Sequence, residues 1–194
     1  MIDLLLEGNK IFQENEYKNN KDFYRNLVLG QNPKILWLGC SDSRVTPERI
    51  TGVNAGDIFV HRNIGNIVPT HDWNFATVTE YAINYLKITD IVVCGHSQCG
   101  AIKALDQDID DAYLSLWINN ARAAKDTVDS IEKPAVTEEE RKERSCKIEK
   151  ENIKLQIRHL KEYPLVKKAI KSGIIKIHGL YYNLDDGTLT EILD

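Results

Sequence analysis

The sequence predicts an α/β fold with a mostly parallel central sheet flanked by helices and a C-terminal strand at one edge. Short, nearly all-apolar runs recur at Lys34–Gly39, Asp57–Val60 and Ile91–Cys94, as in strands that are buried on both faces of a sheet. Between the last two runs, residues 74–86 have helical periodicity. Strands that alternate with a helix of this length indicate right-handed crossovers and parallel pairing.

The N-terminal and central segments are predicted to be helical. Residues 2–29 have helical spacing with many polar positions, typical of one or two amphipathic helices, and the pattern breaks before Pro33. After Cys99 we expect a short helix to about Leu105, followed by a second from roughly Ala112 to Val128.

A long charged helix is predicted in the C-terminal half. Thr137 and Glu140 form the capping-box pattern of a helix start, and the helix is expected to reach about residue 160. Its dense mixed charges at 139–144 and 147–151 indicate a solvated face.

The chain is predicted to close with a short helix and two strands. The helix restarts at Pro164, and residues 174–182 alternate as a strand. A turn at 185–187 then allows residues 188–192 to pair back. No repeat or interdomain linker is visible, so residues 1–194 are expected to form a single domain.

Composition excludes several classes of protein. The 194-residue chain is 42% hydrophobic and 28% charged, as in soluble globular domains. Its formal net charge of −4 argues against general nucleic-acid binding. No apolar run approaches the roughly 20 residues that a membrane span needs, and the first residues do not resemble a signal peptide. Four cysteines do not suggest a disulfide framework, so a cytoplasmic setting is expected.

Two short motifs carry the chemistry, Cys40–Arg44 and Gly95–Gly100. Two thiols and one imidazole, from Cys40, His96 and Cys99, supply three of the four ligands of a tetrahedral zinc ion. Sulfur ligands favour zinc over calcium, magnesium or manganese. Without an obvious fourth Cys or His, a position stays open for water or a carboxylate, as in catalytic sites. The motifs therefore predict a zinc hydrolytic or hydration enzyme.

The predicted fold lets these ligands meet. Cys40 follows one buried strand, and His96 and Cys99 follow another. The carboxyl ends of parallel strands form one binding crevice. A helix beginning just after Cys99 would lower the pKa of its thiol and favour the thiolate.

Asp42 and Arg44 leave two arrangements open. Asp42 can be the fourth zinc ligand, which closes the site, or it can pair with Arg44, which leaves zinc open to water. Two thiolates also cancel the charge of zinc. A bound water should therefore be less acidic than among neutral ligands, where its pKa is about 7, and activity should rise towards alkaline pH.

The chain resembles the β-class carbonic anhydrases over nearly its whole length. The matching stretches are Cys40–Val45, Gly56–Asn66, Glu80–Ala82, Val93–Gly100, His178–Tyr182 and the Asp186–Gly187 turn. The resemblance implies reversible hydration of carbon dioxide to bicarbonate and a proton, by attack of zinc-bound hydroxide. It assigns one zinc per chain to Cys40, His96 and Cys99, and a gating role to Asp42 with Arg44, with Asp42 as fourth ligand in a closed state.

The resemblance also implies an assembly and a substrate pocket. It implies a homodimer or homotetramer, in which a helical arm of residues 1–30 packs on the partner subunit. Gln31 and the amide of Gly100 resemble substrate contacts, and Val45 and Ile64 are candidates for an apolar CO2 pocket. Ala101 and Gly65 depart from the residues usual in the family without removing a ligand.

A regulatory site is a further implication. One subgroup of the family binds an inhibitory bicarbonate with a tryptophan, an arginine and a tyrosine, which Trp37, Arg62 and Tyr182 resemble. The alternative is structural: Trp37 in the core, Arg62 in an ion pair and Tyr182 packed on the last strand.

Three rival functions stay open from the motifs alone. Hydrolysis of CS2 or COS would use the same ligands. A zinc-stabilised structural protein would keep Asp42 permanently on the metal, which makes Arg44 and Gln31 unnecessary. A thiol redox protein is poorly supported because the C-x-x-C spacing is missing.

Overall fold

The computed structural model describes residues 1–193 and divides into two compact units, with the boundary in the chain between Asn32 and Pro33. The N-terminal unit contains helix α1 (Ile2–Phe12), a π-helical turn (Gln13–Tyr17) and helix α2 (Lys21–Val28). This agrees with the prediction of one or two helices there. Apolar side chains of α1 are exposed, Leu4 by 73% and Leu5 by 67%.

The second unit is built on a five-stranded sheet. Its strands are β1 (Ile35–Cys40), β2 (Ile58–Asn63), β3 (Asp90–His96), β4 (Lys176–Tyr182) and β5 (Leu189–Ile192). The order is β2-β1-β3-β4-β5, and the first four strands are parallel while β5 is antiparallel at the edge. The predicted fold class, including the C-terminal edge strand, is confirmed.

Helices connect and cover these strands. They are α3 (Pro47–Thr51), α4 (Trp73–Asn84), α5 (Gly100–Lys103), α6 (Leu114–Ile118), α7 (Arg122–Ile131), α8 (Glu138–Glu162) and α9 (Pro164–Lys171). The capping box at Thr137 and Glu140 is present at the start of α8. Within residues 1–193, no helix combines the length and the apolar character needed to cross a bilayer.

The prediction of one helix over 112–128 is wrong. The segment is divided into α6, a 3-10 turn over Asn119–Ala121, and α7. At the division the Asn120 side chain donates to the carbonyl of Trp117 at 2.8 Å. Asparagine side chains that bond to nearby backbone compete with the helical pattern, which explains the interruption.

Helix α8 lies close against β3 and β4, and two glycines make this approach possible. A Cβ atom at Gly95 or at Gly179 would lie 2.9 Å from a side-chain carbon of Ile153. Ile153 itself is fully buried, with Leu36 and Ile91 of the sheet in the same cluster. The close approach places one face of α8 behind the carboxyl end of β3, where the second sequence motif begins.

Candidate metal centre

The three predicted ligands come together at the carboxyl ends of two neighbouring strands of the sheet. Cys40 is the last residue of β1 and His96 the last residue of β3, and these strands are neighbours. Cys99 caps the start of α5. Their ligand atoms all lie within 4.8 Å of one another, and all three residues are buried.

The imidazole of His96 is prepared to act as a ligand. Its Nδ1 lies 2.9 Å from the carbonyl oxygen of Ser97, which only accepts, so Nδ1 must carry the proton. The lone pair is then on Nε2. That atom is buried and has no hydrogen-bond partner among residues 1–193. A buried acceptor without a partner is costly, and a metal ion held with the two sulfurs would satisfy it.

The two thiols shift each other's pKa in opposite directions. The Cys99 thiol, followed by the nearby imidazole and the amides of Gly65 and Asp42, lowers the pKa of Cys40 to about 4 against the opposing effect of burial. The neighbouring Cys40 and burial raise the pKa of Cys99 well above its usual value and outweigh the lowering by the amides at the start of α5, so the expected lowering is wrong. Of the two thiols, Cys40 therefore ionises more readily. Two sulfurs and one imidazole nitrogen are the donors zinc prefers, so the residues fit the implied metal.

The carboxylate of Asp42 is held by hydrogen bonds from Arg44. Arg44 donates from Nε to Oδ1 at 2.9 Å and from Nη2 to Oδ2 at 2.7 Å, and its peptide N–H donates to Oδ1 at 3.0 Å. These bonds hold the pKa of Asp42 well below its usual range. The same Oδ2 lies 3.8 Å from Nε2 of His96. The carboxylate thus faces the ligand cluster while Arg44 holds it.

Arg62 supports the loop that carries Cys40 and Asp42. Its Nε donates to the carbonyl of Cys40 at 2.8 Å, and its Nη2 donates to the carbonyls of Asp42 and Val45 at 2.6 and 2.7 Å. The structural alternative considered from the sequence was an ion pair. The guanidinium holds backbone carbonyls instead.

Trp37 and Tyr182 lie in a second small core on the other face of the sheet. Trp37 is only 3% exposed, and its indole Nε1 has no hydrogen-bond partner in the described part of the chain. That nitrogen points into the space above Gly39, where a Cβ atom would lie 2.7 Å away. The indole of Trp37 therefore occupies the space that a side chain at position 39 would need.

The predicted substrate residues lie in different surroundings. Ile64 lines a cleft of about 800 Å³ with Ser41, Asn63, Tyr113, Leu116 and Trp117 among its walls. Gly100 is exposed at the start of α5, and Val45 is buried. Gln31 is exposed and belongs to the N-terminal unit.

Sequence reasoning missed Glu149. Residues 147–151 were interpreted as a solvated face, but Glu149 is only 3% exposed, so that interpretation is wrong there. Its carboxylate accepts from the peptide N–H of Cys99 at 3.1 Å and from the hydroxyl of Tyr181 at 2.8 Å. Burial raises its pKa, and these donors oppose the shift. The only signal in the sequence was its place beside Ile148 and Ile153, which are buried.

Comparison with known proteins identifies the family of the chain. A family model described as carbonic anhydrase matches residues 35–189. A carbonic anhydrase of Emericella nidulans is 35% identical over 98% of this chain and 82% of its own length. One from Pseudomonas aeruginosa is 34% identical over 95% of this chain and 84% of its own length.

Solved structures of β-carbonic anhydrases share the fold. A tetrameric enzyme of Sordaria macrospora has a TM-score of 0.88 at 34% identity, covering 98% of this chain and 96% of that one. A Coccomyxa enzyme in complex with acetazolamide has a TM-score of 0.90 at 28% identity, covering 100% of this chain and 87% of that one. By its family model, its relatives and its fold, the chain belongs to the β-class carbonic anhydrases.

Proposed function

We propose that this carbonic anhydrase hydrates carbon dioxide with one zinc ion per chain, held by Cys40, His96 and Cys99. The observation that carries the proposal is the convergence of three buried ligand atoms within 4.8 Å, one of them a histidine nitrogen without a hydrogen-bond partner. A zinc ion bound there supplies Lewis-acid chemistry, which makes water a usable nucleophile near neutral pH.

Asp42 and Arg44 act on the reacting water in this proposal. Because Arg44 keeps Asp42 ionised, Oδ2 can accept a hydrogen bond from that water and so orient a lone pair of the water towards the carbon of CO2. The same pairing keeps the carboxylate from becoming the fourth ligand, since a carboxylate with two guanidinium bonds has to lose them to move. Release from Arg44 would close the site.

CO2 is apolar, so its route to the ligands should be lined by apolar side chains. We propose that CO2 reaches the ligands through the cleft beside Ile64, whose carbonyl accepts from the indole nitrogen of Trp117 at 2.7 Å. That bond fixes one wall of the cleft. Contacts from Gln31, Val45 and the amide of Gly100 remain predictions from the family resemblance.

Assembly into a dimer or tetramer is also proposed. The Sordaria relative is described as tetrameric, and the exposed leucines of α1 offer an apolar surface for a partner. A cytoplasmic setting remains a prediction from the sequence.

Inhibition by bicarbonate is a second proposal for the same protein. It is favoured by the indole N–H of Trp37, which is unpaired among the described residues, because a bicarbonate oxygen would satisfy that donor. Replacing Trp37 with Phe should then weaken inhibition of CO2 hydration by added bicarbonate. Equal inhibition of both proteins would exclude a role for this donor.

The deciding experiment is stopped-flow CO2 hydration by zinc-loaded protein between about pH 6.5 and 9, a range that brackets the titration of a zinc site. Metal analysis should first show one zinc per chain. A catalytic rate that rises with pH supports the proposal. No rate anywhere in this range would refute it, and CS2 and COS assayed in parallel would show whether the same ligands serve hydrolysis instead.

A further inference from the structure

Glu149 of α8 is a buried carboxylate that the proposed chemistry does not use. Its Oε1 accepts from the peptide N–H of Cys99 at 3.1 Å and from the hydroxyl of Ser145 at 3.2 Å. Its Oε2 accepts from Tyr181 at 2.8 Å. A glutamate that is 3% exposed is rare unless it is paired with donors, and one of these donors belongs to a proposed metal ligand.

The loop before Cys99 has a backbone conformation that must be held in place. Gln98 has a φ of +60°, a left-handed conformation that costs a residue other than glycine free energy. On the Ser97 side, the peptide N–H of Ser97 donates to the carbonyl of Tyr182 at 2.9 Å, and its hydroxyl accepts from the amide of Leu184 at 2.8 Å. On the other side, the peptide N–H of Cys99 donates to Glu149.

We infer that Glu149 is a positioning residue for the metal centre, which fixes the sulfur of Cys99 by accepting its peptide N–H. The inference rests on the proposed metal site. Because the acceptor is on α8, the position of Cys99 is fixed relative to a helix that lies against β3 and β4. It does not depend on the loop alone.

Two neighbours keep the carboxylate itself in place. Tyr181 is on β4, where it pairs with Gly95 of β3, one residue before His96. Ser145 is on α8, one turn before Glu149. The carboxylate is therefore held from the sheet and from its own helix while it holds Cys99. Groups that orient ligands in this way commonly change metal affinity when they are replaced.

The test compares Glu149→Gln and Glu149→Met. Glutamine keeps an oxygen for the N–H of Cys99, and Tyr181 can turn its proton to the sulfur of Cys146, which lies 3.3 Å away. Methionine fills similar space without an acceptor. Glu151→Met is the matched control, since Glu151 pairs with Arg158.

Zinc affinity is measured by competition with a chromogenic chelator, and the metal-free variants are first compared by circular dichroism and thermal unfolding. We expect Glu149→Met to bind zinc about 10- to 100-fold more weakly, and Glu149→Gln and Glu151→Met to stay near the unsubstituted protein. In cobalt-substituted protein, the thiolate-to-cobalt absorption should change for Glu149→Met and persist for Glu149→Gln.

Three outcomes would overturn the inference. The first is tight zinc binding by Glu149→Met with an unchanged cobalt spectrum. The second is equal loss in Glu149→Gln and Glu149→Met, which would assign the effect to charge rather than to the acceptor. The third applies if Glu149→Met does not fold: it is a cobalt spectrum of Glu149→Gln that differs from that of the unsubstituted protein. Failure of the unsubstituted protein to bind zinc would instead refute the metal site itself.

Discussion

Asp42 lies between the guanidinium of Arg44 and the cluster of proposed metal ligands, and its chemistry depends on which of the two its carboxylate binds. Arg44 holds both carboxylate oxygens, while one of them lies 3.8 Å from the nitrogen of His96 that faces the ligand cluster. A carboxylate held in this way can accept a hydrogen bond from a reacting water without occupying the metal. The sequence left both arrangements open because Asp42 lies two residues from Arg44 and also two residues from Cys40, a proposed metal ligand.

Replacing Asp42 with Asn should lower kcat/KM for CO2 hydration by about 100-fold, because misorientation of a reacting group costs rate factors of this order. Zinc content should stay at that of the unsubstituted protein. Stopped-flow assays with metal analysis make the measurement. Asp185→Asn, at an exposed ion pair with Lys142, is the control and should retain full activity. An Asp42→Asn enzyme as fast as the control would remove Asp42 from the mechanism.

Residue types alone identified Cys40, His96 and Cys99 as candidate ligands, because thiolate and imidazole chemistry belongs to the side chain itself. Glu149 could not be recognised in this way. A glutamate in a charged run has the same composition whether it faces water or a ligand loop. Only the rotation of α8 against the sheet decides between these environments.

At the scale of elements, the contact between α8 and the sheet depends on glycines, which have no side chain to keep the helix away. A Cβ atom at Gly179 would lie 2.9 Å from Ile153, 3.0 Å from Ile157 and 3.1 Å from the carbonyl of Ile192. The last neighbour is backbone and cannot rotate away. Any residue larger than glycine there must move α8 or β5.

Gly179→Ala should therefore lower the free energy of unfolding by about 1–3 kcal/mol, the usual cost of overpacking a core. Urea denaturation followed by circular dichroism measures it. Gly8→Ala is the control, since nothing lies within 4 Å of an added Cβ there and alanine favours a helix. Equal stability of the two variants would show that α8 adjusts without cost.

An ion-pair cluster joins α7 to α8. Arg144 donates to Asp129 from Nε at 2.6 Å and from Nη2 at 2.8 Å, and to Asp106 from Nη1 at 2.7 Å. Arg144, helped by Lys125, lowers the pKa of Asp129 to about 2 despite some burial. A carboxyl whose pKa is depressed by folding stabilises the protein above its unfolded pKa, near 3.9, and loses that contribution as pH falls through the folded value.

Unfolding by urea at pH 7 and at points between pH 5 and 2 measures this contribution. Asp129→Asn should lose about 1 kcal/mol of stability at pH 7, a value reduced for partial exposure. Its stability should also fall less than that of the unsubstituted protein between pH 5 and 2. Asp126→Asn, an exposed residue on the same helix, should follow the unsubstituted protein. Parallel curves for all three would contradict the assignment.

For the whole molecule, the parallel order of strands brings distant motifs to one edge. β1 and β3 are neighbours, so Cys40 and His96 meet although 55 residues separate them in the chain. The alternation of strands and helix was enough to predict this meeting, since parallel strands point their carboxyl ends the same way.

Assembly is tested through the N-terminal helix. Leu5→Glu places a charge on the exposed apolar side chains of α1 and should shift the protein to a smaller species, because burying an unpaired charge in an interface is costly. Light scattering after size-exclusion chromatography measures the mass. Glu7→Gln, on the same helix, is the control. An unchanged mass for Leu5→Glu would contradict the proposed role of residues 1–30 in contacting a partner.

The sequence by itself determined the fold class, the family and the three candidate ligands. These depend on short-range periodicity and on the chemistry of particular side chains, which are both local properties. The tertiary structure decided that Arg62 holds backbone carbonyls, that the indole nitrogen of Trp37 is unpaired, and that Glu149 holds Cys99. Each of these depends on which groups surround a side chain after packing, and that neighbourhood is assembled from segments that lie far apart in the chain.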